Sequence, residues 1–243
     1  MKKFFILLLL FFIGCTGTNV SDDEVKKANQ FFESIFLDQV QDSPEFQTRL
    51  GYKSNYDQWD DITWEERKRK IRKAMSNLKY LHDNIDYDKL DEAAKISYRL
   101  IERRFERQIE SNDYIFNSYP ITHRGGKHSS IPSFLINYHK VDDEDDVKDY
   151  LQRLRNIEPL MDNLIEELEL REDLNILAPK FVYPQAIKVS QNIIAGYPFE
   201  DVSKRNVIFN DFSRKLDKLD LSSPVKTRYL NEAEDILITI VNN

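Results

Sequence analysis

The sequence predicts an all-α fold, an irregular array of many helices in one domain. Two observations carry this. Apolar residues recur at three- and four-residue intervals over most of the chain. Helix-starting residues (Ser21, Ser43-Pro44, Thr63, Asp91) and helix-ending glycines (Gly51, Gly196) fall between those stretches. Behind its first residues the chain has about 220 positions, enough to bury a core as one domain.

The elements follow in order. Ser21 and Glu24 form a capping box ahead of Val25, Ala28, Phe32, Ile35, Phe36 and Val40, spaced as one helix face. Ser43-Pro44 starts a short helix that Gly51 ends, with Phe46 and Leu50 facing inward. Residues 52–62 are a polar aromatic loop holding Tyr56 and Trp59. Thr63 and Glu66 make a second capping box, and the helix behind it buries Trp64, Ile71, Met75, Leu78 and Leu81. A third long helix from about Asp91 to Asn112 carries Ala94, Tyr98, Ile101, Phe105 and Ile109 on one stripe.

Residues 113–131 show no apolar period and read as one long connection, of the kind that tends to be functional or disordered. Pro132 to Tyr138 is a short buried helix or a strand. The acids of Asp142 to Asp146 suit the positive end of a helix that carries Val147, Leu151 and Leu154. Pro159 marks a break and restart before Leu160, Leu164, Ile165 and Leu168. A loop to Pro184 precedes a helix bearing Ile187 and Ile194, and two more helices cover about 205–218 and 223–241.

The first fifteen residues carry the clearest functional signal. Lys2 and Lys3 precede ten unbroken apolar residues, Phe4 through Ile13. That run is about half the length a bilayer core demands, so it reads as a signal-peptide core and not a membrane span. It ends Phe12-Ile13-Gly14-Cys15, which resembles the lipobox of bacterial lipoproteins, with Phe12 where leucine is usual. The resemblance implies that 1–14 is a cleaved signal peptide, that Cys15 is lipidated, and that 15–23 is the tether of a domain covering 24–243. The expected partner is membrane lipid through Cys15. The expected location is the cell envelope, facing outside the cytoplasm, with the outer membrane favoured by Thr16 if the host has one.

Cleavage before Cys15 would leave 33 basic against 42 acidic residues, a net charge of −9. Nucleic acid is therefore excluded as a partner, because phosphate contacts need basic patches. With one cysteine no disulfide forms within the chain, so the fold rests on its hydrophobic core.

No catalytic motif is present. The four histidines, His82, His123, His128 and His139, are not followed by glutamate, and G-x-S-x-G, P-loop and dinucleotide glycine patterns are missing. His123-Arg-Gly-Gly-Lys-His128 holds the one pair of imidazoles that a metal could bridge, but no nearby carboxylate completes a ligand set, and a surface loop is the expected role. Neither metal nor cofactor is expected in this chain. Arg99, Arg103, Arg104 and Arg107 read as a solvated helix face, neutralised by pairs such as Arg103–Glu106 and Arg107–Glu110.

Five segments together resemble a bacterial family. They are Ala28-Asn-Gln-Phe-Phe-Glu, Ser43-Pro-Glu-Phe-Gln-Thr-Arg-Leu-Gly51, Ile96-Ser-Tyr-Arg-Leu-Ile-Glu102, Pro132-Ser-Phe-Leu-Ile-Asn137 and Pro179-Lys-Phe-Val-Tyr-Pro184. Their order and spacing are similar to the family catalogued as domain of unknown function 885, over about residues 25–241. The resemblance implies an all-helical, zinc-metallopeptidase-like fold in an exported lipoprotein. The family's presumed metal motif, His-Glu-x-x-Pro-Gly-His, lies in its C-terminal half and does not occur here, so no metal ligand or catalytic residue is carried over and zinc is expected only in a full-length relative. The chain is read as the N-terminal part of such a protein, supplying one wall of a substrate cleft. The other reading is a non-catalytic helical lipoprotein that binds a peptide or protein partner. The C-terminal stripe of Ala233, Ile236, Leu237, Ile240 and Val241 is expected to fold back, to pair with a C-terminal partner chain or a second copy, or to stay exposed.

Overall fold

The computed structural model describes residues 19–242, so Cys15 and the signal-peptide reading lie outside the described residues. Ten α-helices and one two-stranded hairpin make up the described chain: α1 (Asp22–Gln41), α2 (Pro44–Leu50), α3 (Trp64–Asn84), α4 (Glu92–Glu110), β1 (Ile121–Thr122), β2 (Gly125–Gly126), α5 (Lys127–Asn137), α6 (Glu144–Arg155), α7 (Ile157–Asp173), α8 (Val182–Ile193), α9 (Val207–Asp217) and α10 (Ser223–Asn242). The fold class is all-α, as the sequence predicts.

Helix starts follow local chemistry. The side chains of Ser21, Ser43, Thr63, Asp91 and Asp143 each accept a backbone N–H from the first turn they precede. Glu24 does not close its box back onto Ser21. Its carboxylate accepts the Asp86 N–H at 2.8 Å, while the Ser21 N–H donates to the Lys89 carbonyl at 2.9 Å. The capping pair thus pins the start of α1 to the turn between α3 and α4.

The apolar faces close over two regions. In the first, α1, α3 and α4 bury Ala28, Ile35, Ala74, Leu81, Ala94, Tyr98 and Phe105, with small residues where the helices approach. In the second, α5, α6, α7, α9 and α10 enclose Phe134, Leu135, Val147, Leu151, Leu154, Leu160, Phe212 and Leu237. The 52–62 loop joins them and is itself core: Tyr56 and Trp59 are buried, and the Trp59 indole N–H donates to the Arg153 carbonyl at 2.9 Å.

Several sequence expectations need correction. Phe36, Leu50 and Met75 are exposed. In α2 it is Gln47 and Thr48 that turn inward, because Gln47 Nε2 reaches back to the Val40 carbonyl at 2.9 Å. Residues 113–131 are not a structureless connection: they hold a 3-10 turn, the β1–β2 hairpin and the first turn of α5. Pro132 therefore lies inside α5 and does not start it. Likewise α8 begins at Val182, ahead of Pro184. The α10 stripe folds back, and Ala233, Ile236 and Leu237 are buried against the second core.

Candidate binding groove

The surface left open lies over α8. Two staples shape it. Arg171, buried on α7, pairs with Glu167 at 2.8 Å and donates to the carbonyls of Ser118 at 2.7 Å and of Phe116 and Ile115 at 3.3 Å. This clamps the segment before β1 against α7. Asn206 acts at the other end: its Nδ2 donates to the Ile193 and Ala195 carbonyls at 2.6 and 3.1 Å, and its Oδ1 caps α9. Two glycines permit the close approaches. A Cβ at Gly126 would sit 2.6 Å from the Pro120 carbonyl oxygen, and one at Gly196, where φ is +86°, would sit 2.6 Å from that of Lys204.

Between these staples runs a groove of about 690 Å³, walled by Pro120 and Ile121 of the hairpin, by Ile165 and Leu168 of α7, and by Val182, Ala186 and Ile187 of α8. Ile187 is 56% exposed and, beside the groove, Phe181 is 57% exposed. Large apolar side chains concentrated this way mark a site where another apolar surface packs. Completing their burial is worth roughly 1 kcal/mol for each half-exposed side chain. Glu169 and Glu172 line the groove beside the apolar wall, which leaves part of its rim polar.

The structure gives the sequence's histidine pair two different environments. His123 is exposed in the hairpin turn, its ring 5.3 Å from that of Phe181. His128 is buried in the first turn of α5. Among the described residues no group of three or more His, Cys, Asp or Glu side chains is placed to hold a metal ion. In the arginine row, Arg103 pairs with Glu106 at 3.1 Å and Glu110 at 3.5 Å, and Arg104 bonds Gln39 at 2.8 Å.

Sequence reasoning missed a buried polar centre. Arg153 is fully buried, and its guanidinium donates to the carbonyls of Gln58 (3.1 Å) and Asn55 (3.2 Å), to Thr48 Oγ1 (3.0 Å) and to His139 Nδ1 (3.0 Å). Phe134, Tyr56 and Trp59 face it with their rings at 5.2, 5.3 and 5.6 Å. Burial pulls the Arg153 pKa down to about 10. Burial, with the Arg153 charge alongside, pulls that of His139 down to about 2. His139 is thus a neutral acceptor. Lys53 pairs with buried Asp146 at 2.6 Å, while Tyr56 Oη accepts the Lys140 N–H at 2.8 Å. These contacts bind the 52–62 loop to α6 and the segment before it, with Tyr56, Asp146 and Arg153 buried and Lys53 reaching in from the surface.

The fold and groove define an all-helical protein with an open, largely apolar groove over α8. The chain belongs to the family described as bacterial protein of unknown function (DUF885), whose profile matches residues 44–241. The fold is similar to a crystal structure described as "the putative lipoprotein from Colwellia psychrerythraea", with a TM-score of 0.72 at 16% identity. That similarity covers 90% of this chain and 39% of the Colwellia chain, so this chain spans about two fifths of the protein it matches. None of the curated proteins matches this chain.

Proposed function

We propose that this is a lipid-anchored protein of the bacterial cell envelope, tethered through Cys15 and facing outside the cytoplasm. Its helical domain is the non-catalytic portion of a metallopeptidase-like protein and packs against further polypeptide in the groove over α8. The observation that carries this reading is the groove itself, with Ile165 and Ile187 exposed in its wall and Phe181 exposed beside it. The occupant is polypeptide of the kind that makes up the rest of the Colwellia protein, of which only 39% corresponds to this chain. The family resemblance implies that any zinc motif sits on that polypeptide and that this domain forms a wall of the cleft. The anchor is supported by the Gly14-Cys15 ending of the Phe4–Ile13 apolar run and by the lipoprotein description of the Colwellia structure.

The test is co-purification in trans with a polypeptide carrying His-Glu-x-x-Pro-Gly-His from a full-length family member. Ile187→Asp and Phe181→Asp should each weaken the complex tenfold or more, since a buried carboxylate has no partner there. Leu100→Asp, at an exposed leucine on α4, should leave it intact. Equal binding by all three variants would overturn the reading. Equal capture of unrelated apolar peptides would favour a general peptide-binding role in its place.

A further inference from the structure

A second cavity lies behind the groove, and its polar content is a single unpaired imidazole with one serine at the mouth. The cavity holds about 320 Å³ and is walled by Met161 of α7, Ile193 of α8, Phe199 of the α8–α9 loop and Ile240 of α10. Ser190 and Ile194 line both this cavity and the groove, so the two are contiguous. His128 lines it too, is only 9% exposed, and has no hydrogen-bond partner on Nδ1 or Nε2. Among the described residues His139 Nε2, Tyr150 Oη and Asp211 Oδ2 are also buried without a hydrogen-bond partner, but His139 keeps a bond on its other nitrogen, whereas His128 has none on either. An imidazole buried with both nitrogens unmatched has lost its water without replacement. Burial pulls its pKa below the ordinary histidine value, so the ring is neutral and offers one donor and one acceptor.

His128 is the second residue of α5, so the positive end of that helix lies at the same place and favours negative charge there. Lys127, its neighbour in the chain, is paired with Glu45 at 2.6 Å. The remaining wall is hydrocarbon. At about 30 Å³ for a water-sized group, the space holds roughly ten of them.

We infer that this cavity binds the free acid of a single unbranched acyl chain of medium length, with its carboxylate on His128 and its hydrocarbon among Met161, Ile193, Phe199 and Ile240. A carboxylate oxygen accepts from the imidazole N–H, and the chain displaces nothing that needs hydrogen bonds. The site does not depend on the polypeptide docking proposed for the groove: its walls come from α5, α7, α8, α9, α10 and the α8–α9 loop, and Ile187 is not among them.

The experiment uses the full chain carrying Cys15→Ser, titrated with decanoate by calorimetry and followed through the histidine side-chain nitrogens by NMR. The expected result is one decanoate per chain and a shift of the His128 nitrogens. His128→Phe, which keeps the bulk and removes the donor, should weaken binding about tenfold. Ile240→Trp, which fills the cavity, should abolish it, whereas Leu100→Asp, on exposed α4 surface, should leave it unchanged. Absence of saturation, an unmoved His128 signal in the unmutated protein, equal binding to Ile240→Trp, or equal affinity for the methyl ester of decanoate would overturn the assignment.

Discussion

Replacing Arg153 with methionine tests the buried polar centre most severely. The substitution nearly conserves length and keeps the contacts with Tyr56, Trp59 and Phe134, but removes donors from four acceptors: the Gln58 and Asn55 carbonyls, Thr48 Oγ1 and His139 Nδ1. Each buried acceptor left unpaired costs about 1–3 kcal/mol, offset in part because the desolvated charge is also gone. The net expected loss is about 3–5 kcal/mol, a large fraction of the roughly 5–15 kcal/mol that holds a domain together. With a urea slope near the upper end of about 1–3 kcal/mol per molar, the unfolding midpoint should fall by roughly 1–2 M. Circular dichroism during urea unfolding reads this directly. Arg153→Lys should also lose about 2–3 kcal/mol, since one ammonium cannot reach four acceptors set around a planar fork. A midpoint lowered by less than about 0.3 M in Arg153→Met would refute the argument that these bonds secure the 52–62 loop.

Other outcomes follow from the same structure. His139 has a folded pKa of about 2, well below the unfolded value of 6.5, and His128 is lowered in the same direction. For His139 only the unfolded chain takes up the proton between those limits, so its stability contribution is fully present above pH 6.5 and is lost as pH falls. The slope from His139 should approach about 1.4 kcal/mol per pH unit between pH 6 and 5, before carboxylates titrate, with His128 adding in the same direction; urea midpoints that are flat across that window would contradict it. Gly196→Ala should cost at least about 1 kcal/mol, because the new Cβ would meet the Lys204 carbonyl oxygen at 2.6 Å with φ at +86°; an unchanged melting temperature would show that the α8–α9 turn can relax. Cys15→Ser should move the chain from the membrane fraction to the soluble one or leave it unprocessed, and normal processing with membrane retention would count against the lipid anchor.

How much of this was legible depended on how local each signal is. The starts of α1, α2, α3, α4 and α6 were readable because one side chain caps one turn, and Ser21, Ser43, Thr63, Asp91 and Asp143 all do so. The buried face of α4 was readable because Ala94, Tyr98 and Phe105 keep helical register with no interruption. The Arg153 centre was not, because its partners Thr48, Asn55 and Gln58 come from α2 and a loop some hundred positions earlier, and an arginine between Gln152 and Leu154 reads as a surface residue. The β1–β2 hairpin was hidden because strands of two residues have no period. The groove was not legible for a different reason. Periodicity marks an apolar face without saying what covers it: the α10 stripe could fold back, pair or stay exposed, and Ala233 and Leu237 are buried, whereas Ile187 on α8 is exposed. His128 was seen in sequence as half of a loop pair with His123, whereas its place in the first turn of α5 buries it alone.

The proposal that the face over α8 meets further polypeptide is open to one measurement, hydrogen exchange on the chain, alone and with the His-Glu-x-x-Pro-Gly-His polypeptide added in trans. Slowed exchange is expected in α8 (Val182–Ile193) and across the β1–β2 hairpin, with α1 and α4 unchanged. Protection confined to α1 and α4, with α8 exchanging as it does alone, would contradict it.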